Sequence, residues 1–300
     1  MTDGPSDEVK QQLALARWRS RRAERRCRAL EDSLWTSAPE SVLVPTRFGP
    51  TQVYRWPGSG VPLVLLHGGA VTSITWEPIA QAMPDRDVYA LDIMGDVGRS
   101  EHRAPFSDVT ELATWLDDAL AALHLDEVQL VGHSLGGWVA INAAVRRPDR
   151  LESLVLIDPG GVVPLQMGPF MRWGLPVMAS SFMPGPVRRR VARRMHHPLA
   201  VDKRWTRLML LGVLWHKPGF PPLQPPFADD ELTSIGVPTS LIAGELTEMF
   251  DTSAMADRLR CLVPNIDVTI VEGAGHALTV SHVHECVAAI DAGPGAAGPA

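Results

Sequence analysis

Cysteine is scarce in this sequence and forms no pattern typical of a metal site or a disulfide framework. Cys27, Cys261 and Cys286 are the three cysteines among 300 residues, and they lie far apart. No CxxC pair and no cysteine–histidine ligand spacing is present, so the sequence contains no zinc motif. We therefore expect neither a disulfide framework nor a metal site, and a reduced, cytoplasmic setting.

Long hydrophobic runs and an excess of positive charge are also missing. Every apolar run is well short of the ~20 residues that a membrane-spanning helix needs, so no membrane span is expected. A net charge of -6 and a pI near 5.9 give no general reason to expect a nucleic-acid partner. With 45% hydrophobic residues, the chain is long enough to bury one large core or two modest ones.

One segment near the N-terminus departs from this acidic composition. Seven arginines lie between Arg17 and Arg28. The ordinary interpretation is an Arg-rich helix within residues 1–40, with the arginines solvated. Contact with nucleic acid or with a membrane surface is the alternative. The side chains expected to face inward are Leu13, Cys27, Leu30 and Leu34.

Short apolar strands alternating with helices dominate residues 41–160 and 228–291. A β-hairpin is predicted around Phe48-Gly49-Pro50, and runs such as VPLVLLHGG and LESLVLID are typical of strands buried on both faces. ELATWLDDALAAL and LGGWVAINAAVRR have the periodicity of helices. This alternation predicts an α/β fold with a mostly parallel, doubly wound sheet.

Between these two segments, residues 161–227 contain no pattern of buried strands. The region is rich in methionine and tryptophan, and its prolines cluster at PGFPPLQPPF. We predict a helical cap or lid inserted over the carboxyl edge of the sheet. Its composition favours an apolar or adaptable substrate surface, although the same side chains suit packing onto the sheet. The low-complexity end, 292–300, is predicted to be a flexible tail.

The segment Gly132-His133-Ser134-Leu135-Gly136 matches the pattern G-x-S-x-G. It stands between the predicted strand EVQLV and the predicted helix LGGWVAINAA, which is the context that this motif requires. A turn so sharp needs glycine at the flanking positions, and it lifts the serine hydroxyl above the edge of the sheet. Ser134 is therefore the candidate nucleophile.

Four short motifs carry a family resemblance. They are LLHGG at 65–69, DIMGDVGRS at 92–100, GHSLGG at 132–137 and GAGH at 273–276. With them, residues 42–290 resemble the α/β-hydrolase superfamily, and the DxxGDxGxS loop is similar to that of some bacterial carboxylesterase-like members. The resemblance implies Ser134 as nucleophile, His276 as general base, and the backbone N–H groups of Gly69 and Leu135 as the oxyanion hole.

The carboxylate that should orient the histidine is the ambiguous member of this site. In most superfamily members it lies three residues after a glycine that ends the penultimate strand. Here that glycine is Gly244, and the position is occupied by Thr247. A threonine hydroxyl cannot carry the required negative charge. Glu248 is the next residue, and Glu245 and Asp251 lie within a turn of it.

Asp158, directly after the strand LESLVLI, is the other candidate for the acid. A minority of superfamily members place the acid after the strand that follows the nucleophile's helix. There it emerges at the carboxyl edge of the sheet, where such sheets place their chemistry. The competing interpretation is a turn residue, because Asp-Pro-Gly is favourable turn chemistry. We prefer Asp158, with Glu248 as second choice and Asp251, Glu245 or no acid left open.

These features predict a cofactor-independent serine hydrolase that cleaves an ester, lactone or thioester through an acyl-enzyme on Ser134. The expected partner is a small apolar acyl substrate; nucleic acid is not expected, and a homodimer is possible. One alternative keeps the fold and changes the chemistry to C–C bond hydrolysis, lyase activity or acyl transfer. Another is a non-catalytic ligand-binding protein on the same scaffold.

Overall fold

An eight-stranded sheet forms the centre of the protein. The computed structural model describes residues 13–194, 198–221 and 225–293, so the predicted tail at 292–300 lies outside them from residue 294 onward. In chain order the strands are β1 (Arg17–Trp18), β2 (Glu40–Val44), β3 (Thr51–Trp56), β4 (Ser59–Leu66), β5 (Arg86–Leu91), β6 (Val128–His133), β7 (Leu151–Ile157), β8 (His216–Lys217), β9 (Thr239–Gly244) and β10 (Asp267–Val271). β1 and β8 form a separate antiparallel pair.

The strand order in the large sheet is β10-β9-β7-β6-β4-β5-β3-β2. The six strands from β10 to β5 run parallel, whereas β3 pairs antiparallel with both β5 and β2. The β2–β3 pair confirms the predicted hairpin. In its turn, Gly49 has a φ of 129°, and a Cβ there would lie 1.9 Å from the carbonyl oxygen of Glu101. The predicted mostly parallel sheet is confirmed.

Helices lie on both faces of this sheet. They are α1 (Arg21–Asp32), α2 (Glu77–Ala82), α3 (Glu111–Ala122), α4 (Leu135–Arg146), α5 (Met167–Ala179), α6 (Gly185–Arg194), α7 (Lys203–Trp215), α8 (Asp229–Thr233), α9 (Thr252–Leu262), α10 (Leu278–Ser281) and α11 (Val283–Ala292). Short 3₁₀ turns precede α2 and follow α4, α5 and α6. Over the described ranges, none of these helices is both long and apolar enough to cross a membrane.

Side chains that alternate along the central strands build one apolar layer on each face of the sheet. On β4, Leu63 and Leu65 belong to the layer that includes Ile290 of α11, whereas Val64 and Leu66 belong to the layer covered by α3 and α4. All of these side chains are at most 1% exposed. Because both faces of β4 are covered, its sequence is continuously apolar rather than alternating.

The insertion between β7 and β9 contains α5, α6 and α7, and the N-terminal segment packs against it. α1 contacts α7, and the backbone of Arg19 donates to the carbonyl oxygen of Trp215 at 2.7 Å. Cys27 and Leu34 share a buried cluster with Leu208 of α7. The N-terminal segment therefore ties the insertion to the rest of the protein.

The N-terminal helix is shorter than the Arg-rich region in which it was predicted. α1 begins at Arg21. Residues 1–12 of the predicted region lie outside the described residues. Cys27 and Leu34 are buried and Leu30 is half-buried, whereas Leu13 precedes the helix and contacts the main core. The seven arginines of this segment are exposed.

A buried group of charges joins α1 to the loop that follows β5. Glu31 is 2% exposed, and Arg99 Nε donates to its Oε2 at 3.0 Å. The backbone N–H of Arg99 donates to the fully buried Asp92, which also accepts from Ser73. Burial and the nearby Asp92 raise the pKa of Glu31 to about 7. Arg99 is thus the cation that compensates two buried carboxyl groups.

Replacement of Arg99 by alanine is expected to lower the free energy of unfolding by about 3 kcal/mol, because it leaves Glu31 without its charged partner. Urea unfolding followed by circular dichroism measures this loss. Arg47→Ala serves as the matched control, since Arg47 also pairs with a carboxylate, Asp118, but its side chain is 61% exposed. That control is expected to cost at most about 1 kcal/mol. Equal losses in the two variants would contradict the assignment.

Candidate active site

Ser134 lies in a turn one residue long between β6, which ends at His133, and α4, which begins at Leu135. Its backbone has φ 55° and ψ -112°, a left-handed conformation that is strained for a residue with a Cβ. Glycines permit this turn: a Cβ on Gly132 would lie 2.3 Å from the carbonyl oxygen of Gly136. The G-x-S-x-G pattern therefore reflects a steric requirement of the strand-to-helix turn.

A cavity of about 510 Å³ lies at the carboxyl ends of the parallel strands, between the sheet and the inserted helices. Ser134 and His276 both border it. From the insertion, Val177, Met178 and Met209 contribute to the wall. The wall is mainly apolar, and Asp96 is the one carboxylate among the described residues that line it. This composition suits an apolar ligand held beside a few polar groups.

His276 follows β10 and is 9% exposed. Its Nδ1 lies 3.1 Å from Oδ2 of Asp158 and 3.4 Å from Oγ1 of Thr247. If Nδ1–H donates to the carboxylate, Nε2 is left as the basic nitrogen. The structure thus brings His276 together with the preferred acid, and also with the threonine that occupies the usual acid position.

Asp158 directly follows β7 and is fully buried. Its φ is 41°, in the left-handed region that aspartate tolerates better than most residues. Its Oδ1 accepts the backbone N–H of Gly244 at 3.1 Å, and its own N–H donates to the carbonyl oxygen of Ile242 at 3.0 Å. Two contacts with β9 therefore fix the carboxylate with its second oxygen towards His276.

The other three acidic candidates have different surroundings. Asp251 caps the N-terminus of α9, accepting the N–H of Ala254, and the exposed Glu245 accepts the N–H of Gly273. Glu248 is half-buried, and its Oε2 has no hydrogen-bond partner among the described residues. Burial raises the pKa of Glu248 to about 7, with His276 opposing that shift. Glu248 is near the site but is not the carboxylate that contacts the histidine.

His133 supports the site in a way that its place in the sequence motif did not indicate. Its Nε2–H donates to the carbonyl oxygen of His276 at 2.9 Å, and the two rings lie 4.8 Å apart. Burial, followed by the neighbouring His276, lowers the pKa of His133 to about 3, so it is neutral near pH 7. His133 therefore holds the His276 loop against the turn that carries Ser134.

The loop after β4 lies next to the serine turn. A Cβ built on Gly68 would lie 3.4 Å from the Cβ of Ser134, and one on Gly69 would lie 3.7 Å from the Cβ of Leu135. The two predicted oxyanion-hole residues, Gly69 and Leu135, are thus neighbours that border the cavity. Leu135 is the first residue of α4, where a backbone N–H has no partner within the helix.

Asp96 holds this loop from the side of the cavity. Its Oδ2 accepts the N–H of Ala70 at 3.0 Å, and Ala70 itself has a φ of 60°. Burial raises the pKa of Asp96 to about 6. Beneath the loop, His67 Nδ1–H donates to Gly68, and its Nε2 accepts the N–H of Ile93 at 3.0 Å. Asp96 is the second aspartate of the DIMGDVGRS motif, and the motif alone does not indicate this contact.

Within the described ranges, no group of three or more histidine, cysteine or acidic side chains is arranged to hold a metal ion. His216, which also lines the cavity, has a pKa lowered to about 4 by burial and is neutral near pH 7. The arrangement assembled here is therefore a serine, a histidine and an aspartate beside a mainly apolar cavity, which is suited to nucleophilic attack on an acyl carbon.

Comparison with known proteins finds carboxylesterases among the relatives. The chain is 30% identical over 260 residues to an uncharacterized carboxylesterase, nap, and 32% identical over 260 residues to carboxylesterase YbfK, both from Bacillus subtilis (strain 168). The first match covers 83% of this chain and 84% of the relative. The second covers 83% of this chain and 85% of the relative.

Solved structures agree with these matches. The crystal structure of carboxylesterase CesB (YbfK) from Bacillus subtilis has a TM-score of 0.74 at 27% identity, covering 90% of this chain and 98% of that one. Naproxen esterase from the same organism has a TM-score of 0.72 at 26% identity, covering 89% and 96%. The model of the alpha/beta hydrolase family matches residues 63–289. The chain therefore belongs to the alpha/beta hydrolase family, as a carboxylesterase-like member.

Proposed function

We propose that the protein is a serine carboxylesterase that forms an acyl-enzyme on Ser134. The observation that carries this proposal is one cavity bordered by both Ser134 and His276, with Nδ1 of His276 3.1 Å from the buried Asp158 carboxylate. The carboxylesterase relatives, which match 83% of the chain, support an ester as the substrate. The proposed reaction uses no cofactor.

In this reaction Asp158 accepts the Nδ1–H of His276 and so fixes the tautomer with a free Nε2. Nε2 takes the proton of the Ser134 hydroxyl while Oγ attacks the ester carbonyl. The N–H groups of Gly69 and Leu135 stabilise the tetrahedral oxyanion, each by ~3 kcal/mol. His276 returns the proton to the departing alcohol. It then activates a water that hydrolyses the acyl-enzyme to the free acid.

The assignment of the acid to Asp158 rests on three features. It contacts the imidazole, whereas Glu248 has no described hydrogen bond to it. Its second oxygen is held by Gly244, so the carboxylate cannot easily turn away. Glu248, with a pKa near 7, is only partly ionised at neutral pH. A carboxylate that must stabilise an imidazolium has to stay ionised throughout the cycle.

Thr247 has a secondary role in this proposal. Its hydroxyl lies 3.4 Å from Nδ1 of His276, at the position from which most family members supply the acid. At that distance the hydroxyl oxygen accepts at most the weaker part of a bifurcated hydrogen bond from Nδ1–H, whose main acceptor is Asp158. We assign Thr247 to the orientation of the ring, with the charge supplied by Asp158.

The substrate proposed for this site is an ester with a small apolar acyl group. The cavity volume of about 510 Å³ lies within the range of ~300–1,000 Å³ usual for small-molecule sites. Residues 161–227 act in this proposal as the cap that shields the acyl group from water. Asp96 is expected to disfavour substrates with a negative charge near the oxyanion loop. The carboxylate of Asp96 and the charge of such a substrate would repel each other in the mainly apolar cavity.

Ser134→Ala is expected to abolish ester turnover, and Asp158→Asn to lower kcat by about 10³- to 10⁴-fold, since the amide no longer fixes the productive tautomer. Glu248→Gln is expected to keep most of the activity. Initial rates on p-nitrophenyl esters from acetate to decanoate measure all three variants against the wild type.

The opposite ranking, with Glu248→Gln inactive and Asp158→Asn active, would return the acid to the turn after β9. A wild type no faster than Ser134→Ala on every chain length would remove ester hydrolysis from consideration. C–C bond hydrolysis, lyase or acyl-transfer activity and a ligand-binding role would then be tested by product analysis and by ligand affinity.

Asp96→Ala is expected to lower kcat by about 10-fold or more with little change in KM, because release of the Ala70 N–H loosens the loop that carries an oxyanion donor. Asp96→Asn keeps an acceptor oxygen and should recover most of the loss. Steady-state kinetics on one ester separate kcat from KM. If both variants lose activity equally, the charge of Asp96 and not its hydrogen bond is the important property.

Glu248→Gln is expected to stabilise the fold at pH 8.5 by about 1 to 3 kcal/mol more than at pH 5. Burial raises the pKa of Glu248 in the folded state from 4.5 to about 7, so folding is favoured while the group is protonated. That contribution is fully present below pH 4.5 and is lost as the pH rises through 7. Besides burial, a hydrogen bond from its own backbone and the neighbouring His276 favour ionisation of Glu248, whereas Asp158 opposes it.

Urea unfolding of wild type and Glu248→Gln at the two pH values measures this difference. Glu272→Gln is the control, because Glu272 is exposed and the same substitution there should give no comparable pH dependence. A stability gain that is independent of pH would show that Glu248 ionises normally in the folded protein.

A further inference from the structure

The insertion carries a charge opposite to that of the rest of the protein. Residues 161–227 contain ten lysines and arginines but one acidic residue, Asp202, which gives a net charge of +9. Since the whole chain has a charge of -6, the remaining residues carry -15. An asymmetry of this size produces a local positive field that the overall pI conceals.

Four of these arginines form one face of α6. Arg189, Arg190, Arg193 and Arg194 are exposed, and at 100° per residue they lie within an arc of about 140°. None of the four has an ion-pair partner in the part of the chain that the structure describes. Ala192, on the opposite side of the helix, is buried against the insertion. The basic face of α6 is therefore exposed, and no described carboxylate neutralises it.

The preceding helix, α5, exposes apolar side chains. Met167, Met171 and Leu175 follow one another at intervals of four residues, so they form a single stripe, and they are 48%, 43% and 58% exposed. Phe182, in the turn between α5 and α6, is 77% exposed. Val187 in the first turn of α6 is 47% exposed. An apolar stripe thus leads directly to the basic face.

The pattern of α5 is unusual for a surface helix, because its inner side is apolar as well. Gly174, Val177 and Met178 line the cavity, while Met171 and Leu175 face solvent. Arg172 is the one charged residue of the helix. A helix that is apolar on both sides is normally covered on both sides. None of the residues that the structure describes covers its outer stripe, of which Met171 and Leu175 are 43% and 58% exposed.

We propose that the α5–α6 surface, defined by the apolar stripe and the basic face above, docks on an anionic lipid membrane. Arginines beside exposed methionine, leucine and phenylalanine suit a headgroup region with negative charge and an apolar layer beneath it. Nucleic acid would match the arginines but would leave the aliphatic stripe in water. The occupant that satisfies both halves of the surface is the lipid interface, reached from one side without a membrane span.

This orientation connects the membrane to the cavity. Met167 belongs to the exposed stripe and also lines the cavity. Val213 of α7, which is 53% exposed, lines the cavity as well. A docked protein therefore presents the mouth of its cavity to molecules dissolved in the lipid. The step from lipid to cavity rests on the proposed esterase function, whereas the docking itself does not.

Sedimentation with large unilamellar vesicles tests the docking with the full chain. The vesicles are phosphatidylcholine alone or phosphatidylcholine with one third phosphatidylglycerol, each at low and at half-molar salt. The wild type is expected to bind the anionic vesicles at least about 10-fold more tightly than the neutral ones, with most of that binding lost at high salt. Ser134→Ala should bind as the wild type does, so an absence of esterase activity leaves this test intact.

Two variants separate the two halves of the surface. Replacement of the four exposed α6 arginines by glutamine is expected to lower binding to anionic vesicles by about 10-fold or more. Leu175→Gln combined with Phe182→Gln should also weaken it, because the apolar contribution is removed without a change in charge. The matched control, called the core control, replaces four exposed arginines outside the insertion by glutamine. These are Arg47, Arg103, Arg147 and Arg260. The core control should bind the vesicles as the wild type does.

Several outcomes would overturn the proposal. One is equal binding of the wild type to neutral and anionic vesicles, or no binding to either. Another is an equal loss of binding to anionic vesicles in the core control, which would show that the net charge of the protein, and not the position of the arginines, determines binding. A third is binding of a short DNA duplex with full dependence on the α6 arginines and none on Leu175 and Phe182, since the surface would then select polyanions without regard to lipid.

Discussion

The hydrogen bond between Asp158 and His276 is the contact on which the geometry of the site depends. It joins the end of β7 to the loop after β10, and it passes across the end of β9, whose Gly244 N–H holds the other oxygen of Asp158. The same loop is tied back by His133, which precedes Ser134. The carboxyl ends of four neighbouring parallel strands, β6, β7, β9 and β10, are therefore linked by hydrogen bonds. A displacement of any of these ends would change the position of Ser134 relative to His276.

Strain is concentrated at the same place. Five described non-glycine residues have positive φ, and three of them, Ala70, Ser134 and Asp158, belong to the site. Such conformations cost on the order of 1–3 kcal/mol each and persist only where surrounding structure imposes them. Here the surroundings are the carboxyl ends of β4, β6 and β7, where Leu66, Val131 and Ile157 are fully buried. The two apolar layers of the sheet thus supply the stability that keeps the loops in unfavourable but useful conformations.

Much of this organisation could be predicted from sequence, because it is encoded locally. Apolar runs predicted the central strands, and glycine spacing predicted the serine turn. Asp158 was preferred over Glu248 as the partner of His276, but the sequence left both open, since the choice depends on which strand ends are neighbours. Strand order is a property of the assembled sheet. The supporting contacts of His133 and Asp96 were missed for the same reason: each joins segments that are distant in the chain.

The basic character of the insertion shows a different limit of sequence reasoning. The sequence shows how many arginines the insertion contains. Only the structure shows whether these arginines are exposed and unpaired or form internal ion pairs. Arg204 lies in the same insertion and pairs with Asp202, whereas the arginines on the outer face of α6 find no such partner among the described residues. The N-terminal segment, through β1 and α1, holds α7 against the core. Because the insertion is anchored in this way, any surface that binds α5 and α6 also sets the direction in which the cavity opens.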